Sequence, residues 1–341
     1  MNILMRGAMY LGKNSVEIRD DLPMPILKPN EVMVKPKYVG ICGSGVESFK
    51  SGGLYLPNII LGHEFSGDVV EIGEKVKKIK IGDRVAINPV LPCHDCYWCN
   101  RNQENMCSWE SYGTSKNGAM AEFINVEADR IHHLPDTMSY QEGATVEPLA
   151  NCVFAVQESR IMMGENATVF GAGTIGLMTI QALKVAGASD IYAVEPIEFK
   201  QKKALELGAS KVLKPKETGK IKRLTNKIGP DHIFDCVGVP ETVTTSLGLI
   251  RRGGHITIIG IHVDPFEMRG WMQVPLNNVA IRGTYSFTTE SFATSLKLIA
   301  EKRVNGQAII TKIIKLDEVP KMFEILSNPP HEEIKVLVEI E

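Results

Sequence analysis

Residues 166–196, NATVFGAGTIGLMTIQALKVAGASDIYAVEP, run as an apolar stretch, a glycine turn, a helical stretch closed by Gly187, and a second apolar stretch. Few folds accommodate that order: two short apolar runs joined by a helix read as one βαβ unit with parallel strands. The turn carries Gly171, Gly173 and Gly176 as G-x-G-x-x-G, and an acidic residue, Glu195, ends the next strand. A strand before and a helix after give this string its meaning as a dinucleotide turn. Gly171 makes the tight turn, Gly173 lets backbone approach a pyrophosphate, and Gly176 permits close helix–strand packing. Thr174 and Ile175 open the helix, whose unpaired N–H groups and positive dipole end attract phosphate. Glu195 is placed to accept from ribose hydroxyls and to repel a 2′-phosphate, which favours NAD over NADP. Further strand-like runs, DHIFDCVG, GGHITIIGI and NNVAIRGTYSF, bring the number between about 166 and 286 to about six, enough for a doubly wound parallel sheet. Val237 and Gly260, near the ends of the first two of these runs, join the cofactor-binding candidates.

The rest of the chain reads differently. At 341 residues it exceeds the size at which one core usually stops growing, so two domains are expected. Residues 1 to about 90 form short strands divided by Gly and Pro, as in EVMVKPKYVGICG, GHEFSGDVVEIG and GDRVAINPV, the pattern of an antiparallel, barrel-like β domain. The tail returns to β character in AIITKIIKL and IKVLVEIE and is expected to rejoin that domain. A formal charge of −2 offers nothing to attract nucleic acid or an anionic membrane. No stretch approaches the ~18 uninterrupted apolar residues of a membrane helix, and the first residues lack the signal-peptide pattern. Seven cysteines, four of them packed together, point to metal ligation in a reducing cytoplasm rather than to a disulfide framework.

Those four are Cys93, Cys96, Cys99 and Cys107, spaced C-x2-C-x2-C-x7-C in a lobe spanning residues 89–108. Two residues between thiols let their sulfurs converge, and four thiolates close a tetrahedral zinc shell. The bacterial iron–sulfur run ends with a spacing of three and a proline, and this loop has neither. A closed shell cannot polarise a substrate, so this zinc serves the fold. Cys42, His63, Glu64 and Glu147 are the scattered residues that suit a second, catalytic zinc with an exchangeable position.

With these motifs in place the chain resembles the zinc-dependent medium-chain dehydrogenases over nearly its full length. GHEFSGDVVEIGEKV is similar to the family's zinc signature, and the cysteine lobe, GDRV, VEPLA and GAGTIG are all present. VEPLA is most similar to the sorbitol (polyol) and sugar dehydrogenase branch. The resemblance implies an α/β protein: a GroES-like catalytic domain of residues 1–152 and 287–341, and an NAD-binding Rossmann domain of residues 153–286. It implies that Cys42, His63 and either Glu64 or Glu147 ligate the catalytic zinc, and that the protein is a homo-oligomer, dimer or tetramer. The reaction so implied is NAD-dependent oxidation of a secondary alcohol on a polyol or sugar-like substrate, or its phosphate ester. Zinc acts as Lewis acid on the hydroxyl, and the proton leaves by Ser44.

One run departs from the family. Where C-G-S-D-x-H is usual, this chain has CGSGVE, with Gly45 for the aspartate and Glu47 for the histidine that passes the proton on. A carboxylate with its ordinary pKa of about 4.3 accepts protons poorly near neutrality, so the relay beyond Ser44 stays open. The alternatives are an L-threonine 3-dehydrogenase or other secondary alcohol dehydrogenase, and a non-catalytic NAD or metabolite sensor. Asn151 favours the first. The missing histidine favours the second, and the retained zinc ligands oppose it.

Overall fold

The computed structural model describes residues 4–107 and 110–341. Residues 1–3 and Ser108, the last residue of the expected zinc lobe, lie outside the described residues. The chain divides into two compact units. One is Met1–Glu147 with Phe287–Lys302 and Gly306–Glu341, and the other is Pro148–Ser286 with Arg303–Asn305.

The second unit is built on a six-stranded parallel sheet in the order Lys211–Leu213, Ile191–Val194, Ala167–Phe170, His232–Asp235, His255–Ile258, Ala280–Gly283. Numbered within the unit this is 3-2-1-4-5-6, the doubly wound order expected from the glycine turn. Its three central strands are buried at every position, because helices cover both faces of such a sheet. The helix Thr174–Ala186 follows the first strand and ends at Gly187, whose left-handed φ of 88° lets its N–H reach back to Leu183 and Lys184.

In the first unit the strand Glu31–Gly40 is the organising element. It pairs with Glu64–Ile72, Ile124–Glu127 and Lys335–Glu339, all antiparallel. Val32, Val34, Val39, Phe65, Val69, Val85, Ile87, Val336 and Val338 share one core. The tail strands thus belong to this unit, as the β character of the tail suggests. Two features differ from the sequence reading. The tail pair Ile310–Lys315 and Lys335–Glu339 runs parallel, because the helix Val319–Ser327 provides the crossover that parallel strands need. And CGSGVESFKSG forms no strand: a helix, Gly43–Ser51, starts after Cys42 and closes on Gly52 with φ of 82°. Among the described residues no helix is long and apolar enough to cross a membrane.

His132, on the short strand Ile131–His133, packs 4.7 Å from the Phe292 ring, and its Nε2 is buried without a hydrogen-bond partner. Burial first, then the charges of Arg130 and His133, push its pKa down to about 4. The unfolded chain, with a histidine near 6.5, therefore binds a proton that the folded chain refuses between these values. The folded state keeps its full advantage above pH 6.5 and loses it as pH falls towards 4, by at most about 3 kcal/mol. Thermal melts should show a decline over that window that is shallower in His132→Leu. An identical slope in both proteins would remove His132 from the account.

Candidate active site

Four segments of the first unit deliver its chemistry-bearing side chains. Cys42 precedes the helix Gly43–Ser51 with extended backbone (φ −88°, ψ 146°). His63 and Glu64 stand where the strand Glu64–Ile72 begins. Glu147 lies in the first turn of the helix Val146–Ser159. The strand Lys335–Glu339 adds Lys335, which the sequence reading missed.

Cys42 Sγ, a ring nitrogen of His63 and a carboxylate oxygen of Glu64 all lie within 4.8 Å of one another. Glu147 is outside that close set, but it feels the charges of His63, Glu64, Cys42 and Lys335. Glu64 is 1% exposed, and its two oxygens accept from Lys335 Nζ at 2.8 and 2.5 Å. Lys335, equally buried, also donates to the Ile41 carbonyl at 2.9 Å. Gly40 makes room for this pair, since a Cβ there would fall on the Glu64 carboxylate.

The electrostatics of the cluster are those of a cation site. Burial, reinforced by the Glu64 charge, pushes the Cys42 thiol up. Burial pushes Glu147 up to about 8, with Glu64 and Cys42 adding to the rise and His63 opposing it. His63 Nδ1 is buried with no hydrogen-bond partner. A divalent cation would reverse each of these penalties, and one thiolate, one imidazole and a carboxylate are a zinc donor set with room for an exchangeable ligand. The residues fit the metal.

Ser44 Oγ lies 3.1 Å from Cys42 Sγ and 2.7 Å from the hydroxyl of Tyr55, a second residue that sequence reading missed. Burial holds the Tyr55 phenol well above its ordinary pKa. Glu47 points elsewhere: it pairs with Lys50, 3.5 Å away on the next turn of its own helix.

The cysteine lobe also has the geometry of a metal shell. Cys93, Cys96, Cys99 and Cys107 present sulfurs that are all within 4.8 Å of one another. The Cys96 sulfur is 3.6 Å from Cys99 and 3.7 Å from Cys107. A regular tetrahedron of Zn–S bonds near 2.3 Å requires about 3.8 Å between sulfurs. Burial and the neighbouring thiols push Cys99 up to about 12, a cost that a bound cation removes. The lobe reaches beyond its sulfurs. The Glu104 carboxylate accepts from the Thr289 backbone N–H at the start of the helix Thr289–Ala300. Arg130 and Asn88 donate to the Thr289 hydroxyl at 3.2 and 3.3 Å.

In the second unit the glycine turn has the form its sequence predicts. Gly171 has φ of 86°, and a Cβ on Gly176 would fall on the Gly171 carbonyl, so both need to be glycine. A Cβ on Gly173 would meet nothing within 4 Å, which leaves open space for a phosphate beside the first turn carrying Thr174 and Ile175. Val237 packs against Gly171, and Gly260 packs against the backbone of Val237 and Gly238. Asp235 holds that loop through the Val237 and Gly238 N–H groups at 3.0 and 2.9 Å. Glu195 is 5% exposed, and its oxygens accept from the Ala172 and Ile197 N–H groups at 2.7 and 2.9 Å. It therefore pins the turn, a role its place in the sequence did not suggest.

Comparison with known proteins agrees with this geometry. Residues 28–136 match the alcohol dehydrogenase GroES-like domain, and residues 174–301 match the zinc-binding dehydrogenase family. The (R,R)-butanediol dehydrogenase of Bacillus subtilis (strain 168) is 32% identical over 329 residues, covering 92% of this chain and 94% of the relative. The D-arabitol-phosphate dehydrogenase of Enterococcus avium is 32% identical over 328 residues, covering 94% and 92%. Among solved structures, a candidate zinc-binding dehydrogenase from Sinorhizobium meliloti 1021 bound to NADP superposes with a TM-score of 0.91 at 28% identity, covering 99% of each chain. The chain belongs to the zinc-dependent medium-chain dehydrogenases, oxidoreductases that join a GroES-like domain to a Rossmann domain.

Proposed function

We propose that this enzyme oxidises a secondary alcohol of a polyol or sugar-like substrate, or its phosphate ester, with NAD as hydride acceptor. The observation that carries this reading is the pair of buried carboxylates, Glu64 and Glu147, beside Cys42 and His63. Such a site is more polar than one built with a second thiolate, and it favours a ligand that brings further hydrogen-bond donors. A substrate with several hydroxyls supplies them where a simple alcohol cannot. The Bacillus subtilis and Enterococcus avium relatives are both named for substrates with more than one hydroxyl.

In this reading Cys42 and His63, with Glu64 or Glu147, hold the zinc, which supplies Lewis acidity when bound while NAD supplies the hydride acceptor. Ser44 Oγ takes the proton of the reacting hydroxyl as its own hydroxyl proton passes on to water. Glu147 accepts a hydrogen bond from a neighbouring hydroxyl and so orients the carbon chain. Lys335 holds the Glu64 carboxylate in place through two hydrogen bonds. Glu195 accepts from the adenosine ribose and disfavours a 2′-phosphate. Lys202 and Lys203, which could attract that phosphate, are each 2.9 Å from a carboxylate of their own helix, Glu198 and Glu206. We place the enzyme in the reducing cytoplasm, since four of its seven cysteines gather as a metal shell and none of the seven is joined in a disulfide. We also infer a homo-oligomer: the edge strand Ala280–Gly283 is largely exposed, as are Trp271 and Tyr285 on either side of it in the chain.

Three outcomes test this scheme. Metal analysis should return two zinc ions per chain. Cys42→Ser or His63→Ala should abolish turnover with little change in melting temperature, whereas Cys96→Ser or Cys99→Ser should lower melting temperature or prevent folding. Fully active protein with one zinc per chain refutes it. For the cofactor, Glu195→Ala should raise KM for NAD and narrow the preference over NADP. Equal kcat/KM for the two cofactors in the wild type would show that Glu195 does not discriminate. For the substrate, the best polyol or polyol phosphate should exceed ethanol and L-threonine at least about tenfold in kcat/KM, or about 1.4 kcal/mol. Parity with either control ends the polyol assignment, and no NADH formation from any alcohol would mark a binding protein instead.

A further inference from the structure

Asp235 is a wholly buried carboxylate with no part in the proposed reaction. It ends the strand His232–Asp235, which lies beside Ala167–Phe170 where the strand order 3-2-1-4-5-6 reverses. Open sheets of this kind bind their ligands beyond the carboxyl ends of the strands, at that switch point. One oxygen of Asp235 accepts from the Val237 and Gly238 N–H groups, and the other lies 2.7 Å from the Thr242 hydroxyl. Its main-chain carbonyl accepts from the Ile259 and Gly260 N–H groups at 2.9 and 3.0 Å. A single residue thus joins the loop after its own strand, the first turn of the helix Pro240–Leu249 and the loop after His255–Ile258. A side-chain bond two residues ahead is by itself an ordinary turn closure. What this turn carries is Val237.

Val237 leans over Gly171: a Cβ on that glycine would lie 2.7 Å from Val237 Cγ2. The valine therefore stands where a side chain of the glycine turn would be, while 36% of its surface stays open. Behind it the loop has no slack. A Cβ on Gly260 would fall on the Val237 carbonyl, and one on Gly238, whose φ is 79°, would fall on the Gly260 backbone. The loop is wedged between two glycine backbones and tied from beneath by one carboxylate. We propose that Asp235 is a positioning residue for the dinucleotide, holding Val237 as the apolar wall of the crevice at Gly171, an inference that rests on the cofactor reading above and not on the alcohol oxidised. A carboxylate suits the task because it offers acceptors to two N–H groups at once, and because its burial is costly unless those bonds are kept.

The test uses zinc-loaded enzyme with NADH as probe, its binding followed by fluorescence, beside steady-state kinetics with the best substrate. Asp235→Ala should raise Kd for NADH and KM for NAD about tenfold. Its kcat at saturating NAD should stay within about twofold of wild type, since the loss falls on cofactor binding and not on a later step. Asp235→Asn should return both constants to within about threefold: the amide oxygen still accepts from both N–H groups, and its NH2 can donate to Thr242 Oγ1, whose own proton then serves the Val239 carbonyl 2.9 Å away. Val237→Ala removes the wall and leaves Asp235 in place, so it should weaken NADH by a similar factor, and the double variant should be no weaker than the weaker single. Ser246→Ala, which removes a buried bond to the Thr242 carbonyl from the same helix, should lower melting temperature and leave Kd unchanged. Asp235→Ser, too short to span both N–H groups, takes the place of Asp235→Ala if that variant does not fold. Wild-type Kd in the Asp235→Ala or Val237→Ala enzyme overturns the proposal, as does an Asp235→Asn enzyme that binds no better than Asp235→Ala. A wild type that binds no NADH ends the cofactor reading and this role together, whereas tight binding that survives Asp235→Ala ends the role of Asp235 alone.

Discussion

The buried ion pair of Glu64 and Lys335 is the contact on which the catalytic half of this protein depends. Both side chains are almost wholly removed from water, which costs several kcal/mol per ion unless partners are close and complete. Here they are: Lys335 gives two bonds to the carboxylate and a third to the Ile41 carbonyl. Those three bonds fix backbone on both sides of the candidate ligands Cys42 and His63, because Ile41 precedes Cys42 and Glu64 follows His63. The strands bearing Glu64 and Lys335 flank Glu31–Gly40, and Gly40, lacking a side chain, leaves the carboxylate its space. Removing either charge would strand the other in a low-dielectric site. The pair is thus a clamp, and the chemistry hangs from it.

The two thiol-containing clusters show one element used in opposite ways. Four cysteines within one loop form a shell with no opening, and what that shell positions is Glu104, which meets the start of the helix Thr289–Ala300. Its effect is carried through the backbone it shapes. At the other cluster the single thiol is combined with an imidazole and carboxylates drawn from separate strands and helices. Mixed ligands from several elements leave a coordination position for exchange, and that openness is what a reaction needs. The crowding that pushes Glu147 and Cys42 upward is the electrostatic counterpart of the same arrangement.

Much of the fold was legible because the signals are local. A glycine that must take φ of 86° at Gly171, or leave room for a carbonyl at Gly176, is required by atoms a few residues away. The apolar runs of the parallel sheet, and thiols separated by two residues, are likewise readable within one short window. The helix Gly43–Ser51 was missed even though Gly52 marks its end, because the Gly-rich CGSG run looks like a turn when taken alone. Lys335 left a faint trace, a lone cation in the apolar run IKVLV. Tyr55 left none.

By itself, then, the sequence determined the zinc lobe, the dinucleotide turn, the presence of two domains and the candidate ligands Cys42, His63, Glu64 and Glu147. Tertiary structure decided how those ligands are sorted: Glu64 close to Cys42 and His63 but clamped by Lys335, Glu147 beside them, Ser44 held by Tyr55, and Glu47 turned away. It also decided that the tail strands run parallel. The reason is physical. Backbone conformation and thiol spacing are governed by neighbours in sequence, whereas the partner of a buried charge or hydroxyl depends on which distant segments share its burial. Glu64 and Lys335 are 271 residues apart, and only packing brings them within reach of one proton.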